Sequence, residues 1–448
     1  MRIPLVIPER IKMEGIWGVA SQGHGKTQAI QAQIADLLPR VAKGECSIMV
    51  MDSQGLASDR MIAKIKNLKV FAPGQPLHNR LIHLDPRQLS HPVALNFLDV
   101  SQYLHGMSEL DRLTTINSTV RALNYLIGGI MGADFTARQA SFFEYLITFL
   151  ITAVPDATIF TLRDLLRPGA EQKFERYYPK LNPVLRDFFE NDFADKPRQK
   201  GQYADVKEQV LRRLQSILIN PIFLRMMSPT RTKINLTYEL DRGTVVLIDT
   251  AQDIVFDACE ILGRFWITQL ALVSQRRGKA GSKLTPVYVF IDEFQQYGRS
   301  GEKNIISLLE ECRKAFISLS LWHQRIDQVP ETMQNALSST GIKYVGSVEH
   351  PMQVAKWASM LRCDPEMIRR QPRFSWTTYI RGLTDRAVSV RFPPLVMENM
   401  PTMTAAEAAT IAAEMRDRYC TPYVEPVSSA PAGDAGLDPN APVKPAKW

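Results

Sequence analysis

A glycine-rich turn near the N-terminus reads Ala20-Ser-Gln-Gly-His-Gly-Lys-Thr27. Glycines in such a turn allow backbone N–H groups to close around phosphate oxygens, because a Cβ would block the approach. The lysine supplies a point charge for the β- and γ-phosphates, and the following threonine is a ligand of Mg²⁺ in loops of this pattern. We therefore predict a nucleotide and Mg²⁺ site, with Thr27 as a metal ligand and the nucleotide bound by Gly23, His24, Gly25, Lys26 and Thr27.

The residues on either side of this turn support the prediction. Gly15-Ile-Trp-Gly-Val-Ala20 is typical of a short apolar strand, and residues 28–38 show the pattern of an amphipathic helix. A strand, a loop and a helix N-terminus in this order place a phosphate at the positive end of a helix dipole. Ala20 stands where the usual pattern has its first glycine. We expect the exchange to be tolerated, because alanine is small and the position only enters the turn.

A second apolar run, Val287-Tyr-Val-Phe-Ile291, is followed by two acids, Asp292 and Glu293. Together with a P-loop, a strand ending in two acids is typical of a Walker B motif. Asp292 is predicted to hold Mg²⁺, and Glu293 is predicted to polarise the attacking water as a general base. Solvated acids also end many ordinary strands, but the P-loop favours the catalytic interpretation.

Two further polar residues fit the same kind of site. Arg313 lies at the end of a predicted helix, and Gln324 follows a predicted strand that ends in Trp322. An arginine at a subunit edge can reach a phosphate bound to the neighbouring subunit. A polar residue at the end of a strand can sense the γ-phosphate or orient water. The plain alternatives are a surface arginine and a strand cap. Asp52, after another strand, faces the same crevice or is only a cap.

Length and composition bound the class of protein. The chain has 448 residues, which suggests two to three domains. Its net charge of +8 favours polyanionic partners. The five cysteines are scattered and indicate neither a zinc site nor a disulfide framework. No apolar run reaches the ~20 residues of a membrane span, so we expect no membrane span in this chain.

Strands alternate with helices in two blocks, which predicts an α/β fold with a parallel sheet. Residues 68–71, 81–86 and 92–99 are among the expected extended segments of the first block. The predicted division is a nucleotide-binding domain in two parts, 1–104 with Walker A and 231–420 with Walker B, separated by an all-α insertion domain over 105–230. Residues 421–448 are rich in proline and alanine and are expected to be disordered.

The order of these motifs resembles the HerA–FtsK superfamily, and within it the TraG/TraD coupling ATPases of type IV secretion in conjugation. The resemblance covers roughly residues 10–400 and includes, besides the P-loop and Walker B, Gly243-Thr-Val-Val-Leu-Ile-Asp249, Glu311-Cys-Arg-Lys314 and Leu321-Trp-His-Gln324. The N-terminal transmembrane helices that are usual in membrane-bound coupling proteins are absent from this sequence.

This resemblance implies a RecA-like P-loop motor that binds ATP and Mg²⁺ and assembles as a homo-hexamer. It implies that Arg313 is an arginine finger and that Gln324 is a sensor. It further implies DNA as the partner, a relaxase or type IV secretion components as additional partners, and a cytoplasmic location with recruitment to the inner face of the membrane. The implied function is an ATP-driven DNA translocase or coupling ATPase, with DNA-stimulated hydrolysis.

Two other functions remain open at this point. One is a HerA-like DNA-processing or defence ATPase that works with a nuclease, and the other is a nucleotide-gated protein-binding switch. For a DNA motor, two basic loops are candidates for the phosphate contacts that supply sequence-independent affinity. The loop after Walker B contributes Arg299 and Lys303, and the loop before it contributes Arg276 and Arg277.

Overall fold

The computed structural model describes residues 5–54, 60–104, 107–131, 136–193, 203–255, 258–279, 284–297 and 302–423. Its strands form one sheet in the order β3-β4-β2-β5-β6-β1-β7-β8-β9. The strands are β1 (Ile16–Val19), β2 (Ser47–Asp52), β3 (Leu81–Leu84), β4 (Val245–Asp249), β5 (Val287–Ile291), β6 (Ile317–His323), β7 (Ile342–Val345), β8 (Ser375–Ile380) and β9 (Val388–Arg391).

The strands from β3 to β7 pair in parallel, and β8 and β9 close one edge in antiparallel pairing. Every residue of β1, β2, β4, β5, β6 and β7 is buried. Parallel strands covered on both faces are expected to read as continuous apolar runs, which explains the strand sequences. The predicted α/β class is confirmed.

Helices cover both faces of the sheet and fill the chain between β3 and β4. They are α1 (Glu9–Lys12), α2 (Lys26–Ala42), α3 (Met61–Lys66), α4 (Ser101–Leu104), α5 (Glu109–Met131), α6 (Ala137–Ala153), α7 (Ile159–Leu165), α8 (Ala170–Phe174), α9 (Pro183–Asp187), α10 (Ala204–Leu218), α11 (Pro221–Met227), α12 (Leu236–Asp241), α13 (Gln252–Val255), α14 (Ala258–Lys279), α15 (Glu302–Lys314), α16 (Glu331–Ser338), α17 (Pro351–Leu361), α18 (Pro365–Arg369) and α19 (Ala405–Tyr419).

The helical segment between β3 and β4 is packed onto the central sheet. Its apolar side chains, among them Phe142, Phe149 and Phe189, belong to the same buried cluster as Trp17 of β1 and Val289 of β5. A core shared in this way fixes the helical segment against the sheet. The boundaries at 105 and 230 remain a prediction.

Three details of the sequence prediction are corrected by the structure. The expected strand at 68–71 is a 3₁₀ turn, Lys69–Phe71, and residues 92–99 form only an isolated bridge, Val93 to Cys420. The strand β8 was not predicted, although its residues Ser-Trp-Thr-Thr-Tyr-Ile are aromatic and β-branched. Residues 421–448 were predicted to be disordered; Thr421 and Tyr423 donate from their backbone N–H groups to the carbonyls of Pro92 and Ser90, and residues 424–448 lie outside the described residues.

Candidate nucleotide-binding site

The carboxyl ends of four neighbouring strands meet at one edge of the sheet. The P-loop follows β1, Asp52 ends β2, Asp292 and Glu293 follow β5, and Gln324 follows β6. The register keeps these ends level, because Ile291 pairs with both Met51 and Leu321. Ligands of open α/β sheets bind in the crevice at this end of the strands.

The P-loop has the backbone that its glycines allow. Gly23 and Gly25 have φ values of 80° and 110°, and Gly25 is the residue before α2. A Cβ on Gly25 would lie 2.5 Å from a ring carbon of Phe374, so a larger residue here would be both strained and in a clash. The loop therefore leads directly into the N-terminus of α2, where free backbone N–H groups can bind an anion.

Lys26 contacts both Walker B acids. Its Nζ lies 2.8 Å from Glu293 Oε1 and 3.7 Å from Asp292 Oδ1. All three residues are buried, with 8%, 4% and 1% of their surface exposed for Lys26, Glu293 and Asp292. Buried charges of this kind persist only when they are paired. The contact joins the P-loop and Walker B, which are 267 residues apart in sequence.

Three glutamines also surround the Glu293 carboxylate. Gln324 Nε2 donates to Oε1 at 2.9 Å, Gln295 Nε2 donates to Oε2 at 2.5 Å, and Gln54 Nε2 reaches Oε1 at 3.4 Å. Glu293 itself has a left-handed backbone, with φ of 49°. Non-glycine residues are held in this conformation at a cost, which is common at functional sites.

These contacts keep Glu293 ionised. Burial opposes ionisation, but the Lys26 ammonium and the hydrogen bonds from Gln324 and Gln295 outweigh it, so the pKa of Glu293 lies below its ordinary value. A carboxylate that is ionised and fixed by several donors beside the P-loop lysine can accept a proton from water.

The two neighbouring aspartates, Asp292 and Asp52, have raised pKa values. Burial raises the pKa of Asp292, and burial together with the Asp292 charge raises the pKa of Asp52 to about 7. Within the described residues, no group of three or more His, Cys, Asp and Glu side chains could hold a metal ion. Mg²⁺ needs no such cage, because it is usually bound by one or two carboxylates together with substrate phosphates. Asp292 and Thr27 fit that donor set.

The two histidines beside the site have structural contacts. His24 Nε2 donates to the carbonyl of Ser375 at 2.8 Å, and burial lowers its pKa. His323 accepts from Trp17 Nε1 at 2.7 Å, and burial lowers its pKa to about 4. The side chain of His24 therefore ties the P-loop to β8 instead of pointing at a ligand, and only its backbone remains a candidate for phosphate binding.

Arg313 lies at the amino edge of the sheet, where the parallel strands begin. It is near the C-terminal end of α15, just before β6 begins, and it forms an ion pair with Glu14 at 3.4 Å. The seven residues of β6 separate it from Gln324, a span of about 20 Å at the usual rise per residue. The structure thus brings Gln324, and not Arg313, to the P-loop of the same chain.

The residues predicted to bind DNA are only partly described. Arg299 and the side chain of Lys303 lie outside the described residues. Arg277 is buried, and its guanidinium donates to the carbonyls of Ala315 and Thr285 and pairs with Asp241. Its predicted role in DNA binding is corrected, because a guanidinium used in this way fixes α14 to the sheet. Arg276 is half-buried and donates to Thr237 Oγ1.

The sequence analysis did not find Gln54, Gln295 or Phe374. Gln295 had a weak signal, since it lies two residues after Glu293. Gln54 and Phe374 had none, because their contacts with Glu293 and Gly25 join segments 239 and 349 residues apart.

The sheet, the P-loop and the paired acids define the class: the chain has the α/β fold of a RecA-like P-loop nucleoside triphosphatase. Comparison with known proteins agrees on the fold. No protein-family model and no curated protein matches the chain.

Among solved structures, the plasmid coupling protein TrwB in complex with the ATP analogue ADPNP matches at 12% identity, with 89% of each chain covered and a TM-score of 0.59. TrwB with ADP and Mg²⁺ matches at 13% identity, with the same coverage and a TM-score of 0.57. VirB4 of Thermoanaerobacter pseudethanolicus also matches, at 13% identity and a TM-score of 0.47, with 88% of this chain and 90% of that chain covered.

Proposed function

We propose that this chain is an ATP-driven coupling ATPase of type IV secretion, which moves or recruits DNA during conjugation. The observation that carries the proposal is the convergence of Lys26, Asp292, Glu293 and Gln324 at the mouth of the P-loop. Support for the narrower class comes from the shared fold with TrwB, described as a bacterial conjugative coupling protein, and from the sequence resemblance to the TraG/TraD ATPases.

Hydrolysis in this site begins with the exchange of one ion pair. Lys26 pairs with Glu293 in the free chain, and the β- and γ-phosphates of ATP compete for the same ammonium. When Lys26 turns to the phosphates, Glu293 loses its cation and becomes a stronger base, held in place by Gln295 and Gln324. Thr27 and Asp292 are the residues that would hold Mg²⁺, which would supply positive charge against the charge that develops on the phosphates.

Glu293 then accepts a proton from water that attacks the γ-phosphate in line with the departing ADP. Gln324, which already donates to Glu293 Oε1, is placed to respond to the presence of that phosphate. We assign Arg313 to the neighbouring chain of a ring, and its position at the far edge of the sheet supports this assignment. An arginine delivered in trans stabilises charge in the transition state.

DNA binding is assigned to the basic residues around Walker B, namely Arg276, Arg299 and Lys303. In a homo-hexamer these residues face a central channel, where contacts to phosphates give affinity without sequence preference. Among the described residues, no helix has both the length and the apolar character to cross a bilayer. A relaxase or type IV secretion components are the further partners of the proposed ATPase, which is recruited to the inner face of the membrane.

The test is ATP hydrolysis by the purified chain, with and without single- and double-stranded DNA. The proposal predicts Mg²⁺-dependent hydrolysis that DNA stimulates and that Lys26→Ala abolishes. Hydrolysis that no DNA stimulates would instead favour a nucleotide-gated protein switch. A nuclease that co-purifies with the chain would favour a HerA-like DNA-processing ATPase. Wild-type turnover by Lys26→Ala would contradict the site itself.

A further inference from the structure

Phe374 has an unusual backbone conformation for a large aromatic residue. Its φ is 69°, in the left-handed region that glycine adopts without strain. It lies in the segment that leads from α18 into β8, and its ring is partly exposed. Residues held in this region carry a conformational cost, and they persist where the surrounding structure determines them.

The P-loop is what holds Phe374 in place. The Phe374 N–H donates to the carbonyl of His24 at 3.0 Å, and the Phe374 ring packs against the bare Cα of Gly25. The next residue, Ser375, accepts the hydrogen bond from the His24 ring at 2.8 Å. The Phe374–Ser375 segment, with its strained backbone at Phe374, is therefore fixed to the phosphate-binding loop by three separate contacts.

A second residue with a left-handed backbone lies beside the same loop. Leu395 has a φ of 59°, and 53% of its surface is exposed. Its N–H donates to the side chain of Gln28, the residue directly after Thr27. An apolar side chain is thus held in the open next to the first turn of α2.

An exposed guanidinium completes this surface. The Cζ of Arg373 lies 4.7 Å from the centre of the Phe374 ring. Arg373 itself is exposed, and its charge contributes to the lowered pKa of His24 in the P-loop. Aromatic rings and guanidinium planes are the side chains on which nucleobases stack.

We propose that Phe374, Leu395 and Arg373 form the subsite for the base of a nucleoside triphosphate whose phosphates occupy the P-loop. The proposal deepens the proposed function and rests on it. Phe374 and Arg373 bind the face of the base by stacking, and Leu395 covers the base from the side of α2. The strain at Phe374 and Leu395 is then the cost of holding both side chains beside the loop before the nucleotide arrives.

The experiment compares two ligands that share phosphates but not a base. Binding of ATP and of inorganic tripolyphosphate, each with Mg²⁺, is measured on the full chain by titration calorimetry. Phe374→Leu keeps an apolar side chain against Gly25 but removes the aromatic face, and Phe374→Trp keeps that face. Leu395→Ala tests the other side of the subsite, and Lys26→Ala is the control that weakens both ligands.

A stacked base predicts that Phe374→Leu weakens ATP about tenfold, as expected for the loss of one base–aromatic contact, and leaves tripolyphosphate unchanged. Phe374→Trp should retain ATP affinity, and Leu395→Ala should weaken ATP by a smaller factor. Equal losses for ATP and tripolyphosphate in Phe374→Leu would overturn the proposal, since Phe374 would then only shape the P-loop. Unchanged ATP affinity in both Phe374→Leu and Leu395→Ala would also overturn it. If the wild-type chain binds neither ligand, the proposed function itself fails.

Discussion

The carboxyl edge of the parallel sheet, where the strands end, and the amino edge, where they begin, differ in burial and in side-chain contacts. At the carboxyl edge, Lys26, Asp292 and Glu293 are buried and held by several partners. At the amino edge, Arg313 is mostly exposed, with 57% of its side chain accessible, and its ion pair with Glu14 is the contact that the structure gives it. The residues of the carboxyl edge hold one another within a single chain, whereas Arg313 at the amino edge is accessible to a neighbouring molecule.

The same strand connects these two edges. Arg313 lies just before β6 and Gln324 just after it. The Glu14 side chain is only 8% exposed, but it also pairs with Arg381 at 3.4 Å, so its carboxylate keeps one cation when Arg313 is released. We therefore propose that one chain supplies the base and the metal ligands, and that the next chain supplies the arginine.

The largest effect within the buried edge is expected for Glu293→Gln. The amide keeps the size of the side chain but cannot accept the proton of water, so turnover should fall by about 10²–10⁴. ATP and Mg²⁺ should still bind, which titration with the nucleotide will show. If ATP binding is lost along with turnover, Glu293 is a structural or metal-binding residue.

A smaller effect is expected at Gln295. Its amide stabilises the ionised Glu293, so Gln295→Met should raise the pKa of that carboxyl. Glu293 must be ionised to act as a base. The acid limb of the kcat–pH profile should therefore move to higher pH, with the loss of turnover confined to acid pH.

The matched control for Gln295 is the next residue. Gln296 donates to Gln252 instead of Glu293, so Gln296→Met should leave the acid limb in place. A profile that is the same for Gln295→Met and the wild type would show that the hydrogen bond to Glu293 does not tune the base.

The smallest effect concerns Asp52 and stability. Its pKa is raised to about 7 by burial and by Asp292, so between about pH 4 and 7 the folded state binds more protons than the unfolded state. The free energy of unfolding should therefore fall as pH rises through this window, and the Asp52 contribution should be absent in Asp52→Asn.

The amide oxygen introduced by Asp52→Asn can still accept the hydrogen bond that Asp52 Oδ1 receives from the Gln54 N–H. Near pH 8, the free energy of unfolding of Asp52→Asn should exceed that of the wild type by on the order of 1 kcal/mol or more, since one pKa unit corresponds to about 1.4 kcal/mol. Urea unfolding at pH 5 and pH 8, without nucleotide, will measure the difference. A constant difference between the two proteins across this range would contradict the buried, proton-binding state of Asp52.

The sequence was most informative where structure and chemistry are local. Gly23 to Thr27 form a phosphate loop from adjacent residues, and Val287 to Glu293 form a strand and its end. These patterns predicted the fold, and the structure brings Lys26 and Glu293 together as they imply. Gln324 was placed correctly because parallel strands end at a common edge.

What the sequence could not predict depends on contacts between distant segments. The burial of Arg277 follows from the carbonyls of Thr285 and Ala315, in the segments that lead into β5 and β6, which its own helix does not reveal. The binding of His24 to Ser375 depends on β8, a strand the pattern did not indicate. The position of Arg313 at the far edge is visible only once the register of β6 is known.

The central claim is that hydrolysis needs the carboxyl edge of one chain and Arg313 from another chain. It is tested most directly by mixing two inactive variants. Arg313→Ala has an intact P-loop, and Lys26→Ala has an intact arginine. In an equal mixture that exchanges subunits, about one quarter of head-to-tail interfaces pair both intact parts. The account predicts that ATPase activity returns to roughly that fraction of the wild-type value. No recovery in rings shown to contain both variants, or full activity of Arg313→Ala alone, would contradict it.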